Sequence, residues 1–237
     1  MKILGIDSSG LVASVAVVED DVMLAEYTVN YKKTHSQTLL PMLKEIADMI
    51  HLELSSIDAV AVAAGPGSFT GLRIGSATAK GLGLALDKPI IPVPTVDGLA
   101  YNLYGTDKLI CPLMDARRNQ VYTGIYEFRE EKLQILEPQM AVAVTDIIEK
   151  LNVRGRSVIF LGDGVPVYRE ILEREVKVPF YFAPAHLNKQ RAGAVAVLGE
   201  KYFASGRAES ADEHKPDYLR LSQAERERKE KETQSHA

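Results

Sequence analysis

The feature that most constrains this chain is a pattern that occurs twice, once at the start and once near the middle. Each copy is an apolar strand that ends on an aspartate, followed by a polar turn and an alternating strand: ILGIDSSGLVASVAV carries Asp7, and CPLMDARRNQVYTGIY carries Asp115. An apolar run and an alternating run joined by a short polar turn are typical of paired β-strands. Two matched openings therefore predict two structurally related lobes.

The elements that follow each opening predict an α/β fold in which mixed sheets of the ribonuclease H type are flanked by helices. In the first half we expect strands at 2–7, 12–18, 22–29, 57–63 and 90–94, and helices at about 36–51 and 68–86. In the second half we expect strands at 132–136 and 157–164 and helices at 145–151, 166–175 and 187–205. The first helix begins with Thr34 and Gln37 in a capping-box pattern.

These elements divide the chain into an N-terminal lobe (1–104), a C-terminal lobe (105–220) and a charged tail (221–237) that we expect to be flexible. We expect the helix at 187–205 to be able to cross back to the first lobe.

Charge and hydropathy exclude several classes of protein. The chain has 28 Lys and Arg against 32 Asp and Glu, so its net charge of −4 makes it by itself a poor electrostatic match for nucleic acid. The longest uncharged run, Ala59–Leu72, has 14 residues and is interrupted by glycines, which is too short to span a bilayer. MKILGIDSSG reaches Asp7 before a signal peptide could form, so we expect a cytoplasmic protein.

Two polar turns are candidate ligand sites. Asp7 is followed by Ser8, Ser9 and a glycine, a pattern that can hold a metal-bound phosphate but that also forms an ordinary hairpin turn. GPGSFTG (65–71) stands between a strand and a helix, as an anion-binding loop does, but it lacks the Gly-Lys-Ser/Thr ending of a P-loop. A structural turn in which Ser68 or Thr70 caps the helix is the alternative.

The helix after this loop carries a stripe of small residues, since Gly71, Gly75, Ala79 and Gly83 recur every four positions. Glycine in a helix costs about 1 kcal/mol relative to alanine, so such a stripe indicates a close contact that compensates for it. The preceding helix is apolar on two faces. We therefore expect both helices to pack on their own sheet and on another subunit, with purely internal packing as the alternative.

Catalytic groups are not apparent in the sequence. His35 is followed four residues later by Leu39, so the histidine pair of a helical metal site is missing. There is no Gly-x-Ser-x-Gly, and no Ser, His and acid pattern stands out. In the second half, Asp115, Arg117, Arg118 and the turn LGDG (161–164) would face a cleft between the lobes.

Five segments together resemble the TsaB family, also called YeaZ. They are ILGIDSS, HSQTLLPML (35–43), GPGSFTGLRIG (65–75), MDARRNQVY (114–122) and PDYLR (216–220), and GPGSFTGLRIG is the most specific. The resemblance covers about residues 1–220 and implies two lobes of the actin-like (ASKHA) superfamily. It also implies kinship with TsaD, which holds its catalytic metal through two histidines four residues apart on a helix; His35 followed by Leu39 matches the non-catalytic pattern.

The resemblance implies a scaffolding and dimerisation subunit without catalysis of its own. It would support the bacterial complex that places threonylcarbamoyl on the adenosine beside the anticodon of tRNAs reading A-starting codons. TsaD would perform the transfer, the small ATPase TsaE would join the complex, and another enzyme would supply threonylcarbamoyl-AMP. The chain would bind TsaD, or a second copy when alone, and would meet tRNA only through the complex. ATP or ADP and Mg²⁺ would belong to the complex, with no cofactor on this chain alone.

The helices through which TsaB proteins contact a partner correspond to the helix from His35 and the helix from Gly71. The interface residues that this correspondence implies are His35, Leu39, Leu43, Ile46, Gly71, Arg73, Gly75 and Ala79. Residual nucleotide contacts would fall on Asp7, Ser8, Ser9 and Asp115.

Two functions of other classes are left open. An autonomous actin-like phosphotransferase would bind Mg-ATP with Asp7 and Asp115. A peptidase, the activity with which the wider family has been labelled, would need a nucleophile or a metal-activated water, and the sequence offers neither.

Overall fold

The first half of the chain forms a five-stranded mixed sheet in a computed structural model that describes residues 1–31 and 35–220. Its strand order is β3-β2-β1-β4-β5. The bounds are β1 (Lys2–Asp7), β2 (Ala13–Glu19), β3 (Val22–Val29), β4 (Ala59–Gly65) and β5 (Ile90–Pro94). β1 pairs antiparallel with β2 and parallel with β4.

The second half repeats this arrangement with the strand order β8-β7-β6-β9-β10. The bounds are β6 (Leu109–Asp115), β7 (Gln120–Arg129), β8 (Lys132–Ala143), β9 (Val158–Leu161) and β10 (Phe180–Phe182). β6 pairs antiparallel with β7 and parallel with β9, as β1 does with its neighbours. The prediction of two lobes of the ribonuclease H type in an actin-like fold is therefore confirmed.

In the part of the chain that the structure describes, six α-helices cover the sheets. They are α1 (His35–Met49), α2 (Phe69–Leu86), α3 (Thr95–Tyr101), α4 (Val144–Arg154), α5 (Gly164–Glu175) and α6 (Ala192–Ala204). α1 and α2 pack on one face of the first sheet, where they meet Leu4 and Ile6 of β1, while α6 packs on the other face against Ile3. Alternate residues of a strand point to opposite faces, so the apolar run of β1 is buried on both. α4 and α5 cover the second sheet.

Some predicted bounds were wrong. The last helix begins at Ala192 and not at 187, and α3, β10 and a 3₁₀ turn at Leu54–Ser56 were not predicted. β8 continues to Ala143, well beyond 136. Its Pro138 falls where the pairing with β7 shifts register, and an edge strand tolerates proline there. Thr34 and the predicted tail at 221–237 lie outside the described residues.

The end of the described chain returns to the first lobe. We call residues 209–220 the C-terminal strap. Glu209 exchanges two backbone hydrogen bonds of 2.9 Å with Ile90, and the Asp217 N–H donates to the Ala64 carbonyl at 2.7 Å. α6 and most of the strap therefore pack with the first sheet. Within the described ranges, no helix combines the length and apolar character that crossing a membrane requires.

Candidate functional site

The turn after β1 is held by hydrogen bonds between its own residues. Asp7 is only 2% exposed. Its Oδ1 accepts hydrogen bonds from the Ser9 backbone N–H at 2.9 Å and from the Ser9 hydroxyl at 2.7 Å. Burial raises the pKa of Asp7 to about 6, and the two bonds from Ser9 oppose this rise. Asp7 is thus a buried carboxylate that organises its own turn.

The loop GPGSFTG packs directly on this turn. The Ser68 N–H donates to the Ser9 carbonyl at 2.7 Å, and the Ser8 hydroxyl donates to the Gly71 carbonyl at 2.9 Å. A Cβ at Gly67 or at Gly71 would collide with a carbonyl oxygen of the turn. Ser68 is also the N-cap of α2, where its hydroxyl accepts the Gly71 N–H at 3.3 Å. The glycines and the cap therefore support the alternative interpretation of this loop, a structural turn that caps the helix.

His35 lies at the same turn. Its Nε2 is 2.8 Å from the Gly10 carbonyl oxygen, so Nε2 carries the hydrogen in this contact. Within residues 1–31 and 35–220, no group of three or more His, Cys, Asp or Glu is arranged to hold a metal ion. His35 thus anchors the start of α1 to the turn after β1.

A polar cleft of about 300 Å³ separates the two strand-Asp turns. It is lined from the first lobe by Ser9, Gly10 and Ser68 and from the second by Asp115, Arg117 and Asp163, among others. The structure therefore brings Ser9 of the first lobe to one cleft with Asp115, Arg117 and Asp163 of the second, the last from the LGDG turn that was expected to face a cleft. Asp7, Ser8 and Arg118 are not among its lining residues.

The carboxylates that line the second-lobe side of this cleft are bonded to other residues of the same lobe. Asp115 forms an ion pair with Arg117 at 3.3 Å and accepts the Tyr168 hydroxyl at 3.2 Å. Asp163 accepts the Asp115 N–H at 3.3 Å, and burial, with the charge of Asp115 adding to it, raises the pKa of Asp163. These carboxylates hold the two second-lobe turns together.

The predicted partner residues of α1 and α2 lie mostly inside the lobe. Those at most 5% exposed are Leu39, Leu43, Ile46 and Ala79, and Gly71 and Gly75 are also buried. A Cβ at Gly75 would stand 2.6 Å from Ser8 Oγ, and one at Gly83 would stand 2.8 Å from the Cβ of Ala211 in the strap. The small-residue stripe is thus accounted for by contacts within the chain. This corrects the expectation that a second subunit explains it.

The remaining positions of the same two helices are largely exposed, and several of them are apolar. We call them the outer helix surface. Met49 is 76% exposed, Leu84 62% and Leu40 56%. Arg73 is exposed as well, and a Cβ at Gly81 would meet nothing within 4 Å. Unlike the buried stripe, Gly81 therefore has no internal contact that explains it.

A Ser-His-Glu arrangement that the sequence did not reveal joins α2 to the strap. His214 Nε2 is 2.9 Å from Ser76 Oγ, and His214 Nδ1 is 2.6 Å from Glu209 Oε1. Ser76 is 4% exposed and His214 1%. A substrate carbonyl cannot reach the Ser76 hydroxyl in this arrangement, so the three residues act as a clamp between α2 and the strap. The separation of 138 positions along the chain hid the contact between Ser76 and His214 from sequence inspection.

Comparison with known proteins identifies the family. Residues 23–228 match the family model described as TsaD, tRNA N6-adenosine threonylcarbamoyltransferase. The chain is 36% identical to the tRNA threonylcarbamoyladenosine biosynthesis protein TsaB of Bacillus subtilis, over 95% of this chain and 96% of that protein. It is 28% identical to the protein of the same name from Escherichia coli, over 93% and 95%.

A solved structure agrees with this relationship. It is a Pseudomonas aeruginosa protein described as similar to the peptidase YeaZ, with a TM-score of 0.81 and 26% identity, and it covers 92% of this chain and 99% of its own. Similarity to the Bacillus protein over nearly the whole of both chains, together with the shared two-lobed fold, shows that this chain belongs to the TsaB (YeaZ) family.

Proposed function

We propose that this chain takes part in the synthesis of threonylcarbamoyladenosine in tRNA as a non-catalytic subunit that binds TsaD through the outer helix surface. The role in the pathway is supported by the names of the relatives in Bacillus subtilis and Escherichia coli. TsaE would join the assembled complex, and tRNA and Mg-nucleotide would be bound at the level of the complex. In the absence of TsaD, the same surface would pair two copies of this chain.

The observation that carries the placement of the interface is that α1 and α2 are adjacent and that each carries large exposed apolar side chains. These helices contact each other, and Leu40, Met49 and Leu84 are each more than half exposed on them. Gly81 leaves room for a second backbone to approach the middle of α2. Large exposed apolar side chains on adjacent helices favour a protein interface there.

The absence of catalysis on this chain is part of the proposal and is supported by the state of the candidate groups. Asp7 accepts two hydrogen bonds from Ser9, and Asp115 forms an ion pair with Arg117. Ser76 is buried. Calorimetric titration of the isolated chain with Mg-ATP should therefore give no saturable heat. Saturable binding that Asp115→Asn abolishes would favour the phosphotransferase instead.

The interface is tested by mixing the full chain with TsaD of the same organism and measuring mass by size-exclusion chromatography with light scattering. The wild type should form a stable heterodimer. Leu84→Arg should weaken it at least about tenfold, because a buried apolar contact is replaced by an uncompensated charge. Substitutions at Gly75 or Ala79 would not serve this purpose, because both positions are buried in the lobe and would report on folding.

Val153→Arg is the matched control, since Val153 is an 83% exposed apolar residue on α4 of the second lobe. It should leave the affinity for TsaD unchanged. Equal affinity of the Leu84→Arg variant and the wild type would remove the outer helix surface from the interface. A failure of the wild type to associate in the presence of TsaE and Mg-ATP would contradict the scaffold function itself.

A further inference from the structure

A second cavity lies on the side of the first sheet away from the outer helix surface. It is a groove of about 510 Å³ between the start of β8 and the end of α6. Sites for small organic ligands commonly have volumes of about 300–1,000 Å³. α6 packs on the face of the sheet opposite α1 and α2, so the groove is separate from the proposed TsaD interface.

Apolar and aromatic side chains form the inner part of the groove. Tyr101, Leu198 and Tyr202 are at most 7% exposed, and Leu133 and Ile135 of β8 line it from the second lobe. The Tyr202 hydroxyl donates to the buried carboxylate of Asp97 at 2.7 Å, which fixes its ring. The groove therefore offers a rigid apolar surface to a ligand body.

Cationic groups line the same groove in excess. Lys132, Lys201 and Arg207 face a single carboxylate among its lining residues, that of Glu131. Each of the three cations is exposed, and none forms a salt bridge with another described residue. By contrast, Glu127 on neighbouring β7 is paired with two arginines. Three cations and one carboxylate thus line the groove, and a further carboxylate nearby is that of the buried Asp97, whose pKa burial raises and the charge of Arg207 lowers.

Arg207 is held in position to receive an anion. Its guanidinium carbon lies 3.5 Å from the centroid of the Tyr202 ring, and its Nε donates to Ser205 Oγ at 3.2 Å. These two contacts, together with a hydrogen bond to the Tyr202 side chain, orient the planar group. A guanidinium fixed in this way matches a carboxylate or a phosphate and loses little conformational entropy on binding.

We propose that this groove binds a small organic anion, an aromatic or aliphatic body that carries one carboxylate or phosphate. The anionic group pairs with Arg207 and Lys201, and the body lies against Leu133 and the tyrosine rings. A bare inorganic anion would leave the apolar surface uncovered. A neutral or cationic ligand would leave the cations uncompensated.

Three probes with a common naphthalene body test the proposal by calorimetric titration of the full chain. They are 2-naphthoate, 2-naphthyl phosphate and the neutral naphthalene-2-methanol. At least one anion should bind saturably with one site and at least about fivefold more tightly than the alcohol, because two charge pairs are available to it. The tighter of the two anions identifies the preferred head group. Absence of saturable binding, or equal binding of the alcohol, would overturn the proposal.

Variants locate the site. The double substitution Lys201→Gln/Arg207→Gln should weaken the better anion at least about fivefold and leave the alcohol unchanged. Arg169→Gln is the matched control, because Arg169 is also an exposed arginine over an aromatic ring, at 4.1 Å from Phe182, but lies on α5. An equal loss in the control, or full affinity in the double variant, would refute the assignment. Since none of these residues lies on the outer helix surface, the result is independent of TsaD binding.

Discussion

The ionisation of the buried carboxylate at the end of β1 opposes folding at neutral pH, and Asp7→Asn should reveal this. Burial raises the pKa of Asp7 from 3.8 to about 6, so the native state binds this proton more tightly than the unfolded chain does. Asp7 therefore makes its full contribution to the free energy of unfolding below pH 4, and this contribution is lost as the pH rises through 6. One pH unit corresponds to about 1.4 kcal/mol, so the loss amounts to about 3 kcal/mol.

Asparagine keeps the hydrogen bonds while removing the charge. Its Oδ1 can accept from the Ser9 N–H and the Ser9 hydroxyl as the carboxylate oxygen of Asp7 does, at 2.9 and 2.7 Å. The variant should therefore be more stable than the wild type by about 1 kcal/mol at pH 4.5 and about 3 kcal/mol at pH 8. Urea unfolding of both proteins between these pH values measures the difference, in which all other titrating groups cancel.

Asp58→Asn provides a control for the loss of one negative charge. Asp58 is exposed and also accepts a backbone N–H, that of Lys2, at 2.7 Å. Its substitution should change the free energy of unfolding by less than about 0.5 kcal/mol at pH 8. The reasoning fails if Asp7→Asn is less stable than the wild type at pH 8, or if its gain is the same at pH 4.5 and pH 8.

Four further substitutions test individual positions. Tyr126→Phe removes a hydroxyl that donates to a buried carboxylate of α3 at 2.7 Å, and the free energy of unfolding should fall by about 1.5–3 kcal/mol; an unchanged urea midpoint would contradict this. Gly71→Ala should destabilise the chain by about 1–3 kcal/mol, because its Cβ collides with a backbone carbonyl. The Cβ that Gly81→Ala adds meets open space, so this variant should have a higher melting temperature, equivalent to about 0.5–1 kcal/mol of stability. A loss of stability in this variant would show that the space is occupied. His214→Ala loses both side-chain hydrogen bonds of a buried clamp, so limited proteolysis should cleave the C-terminal strap faster than in the wild type; equal cleavage rates would show that the strap is held by its other contacts.

Local patterns predicted the regular elements well where they carried a clear signal. The strands at 2–7, 22–29 and 90–94 match β1, β3 and β5 to the residue, and α2 begins one residue after its predicted start. α3 was missed for a physical reason. All seven of its residues are buried, including the polar Thr95 and Asp97, so its polar positions do not mark a solvent face from which a helical period could be read.

The candidate site, too, could be predicted only in part from the sequence. The repeated strand-Asp-turn opening placed Asp115 at the cleft, because equivalent strands of two related lobes end at equivalent points. Asp7, at the matching position, is instead closed off by the loop that precedes α2. Nothing in the local sequence of the first turn distinguishes an open turn from one that another segment covers.

The sequence by itself determined that the chain has two related α/β lobes, because strand alternation, turn residues and small-residue spacing are properties of neighbouring positions. Only the tertiary structure decided which face of each helix those residues occupy. The stripe from Gly71 packs on the chain's own sheet and strap, while Gly81 on the same helix is left open. Only the tertiary structure joined Ser76 to His214 and gathered the cations around Tyr202. Such contacts depend on how distant segments pack together, and a local repeat of four residues carries no information about its partner.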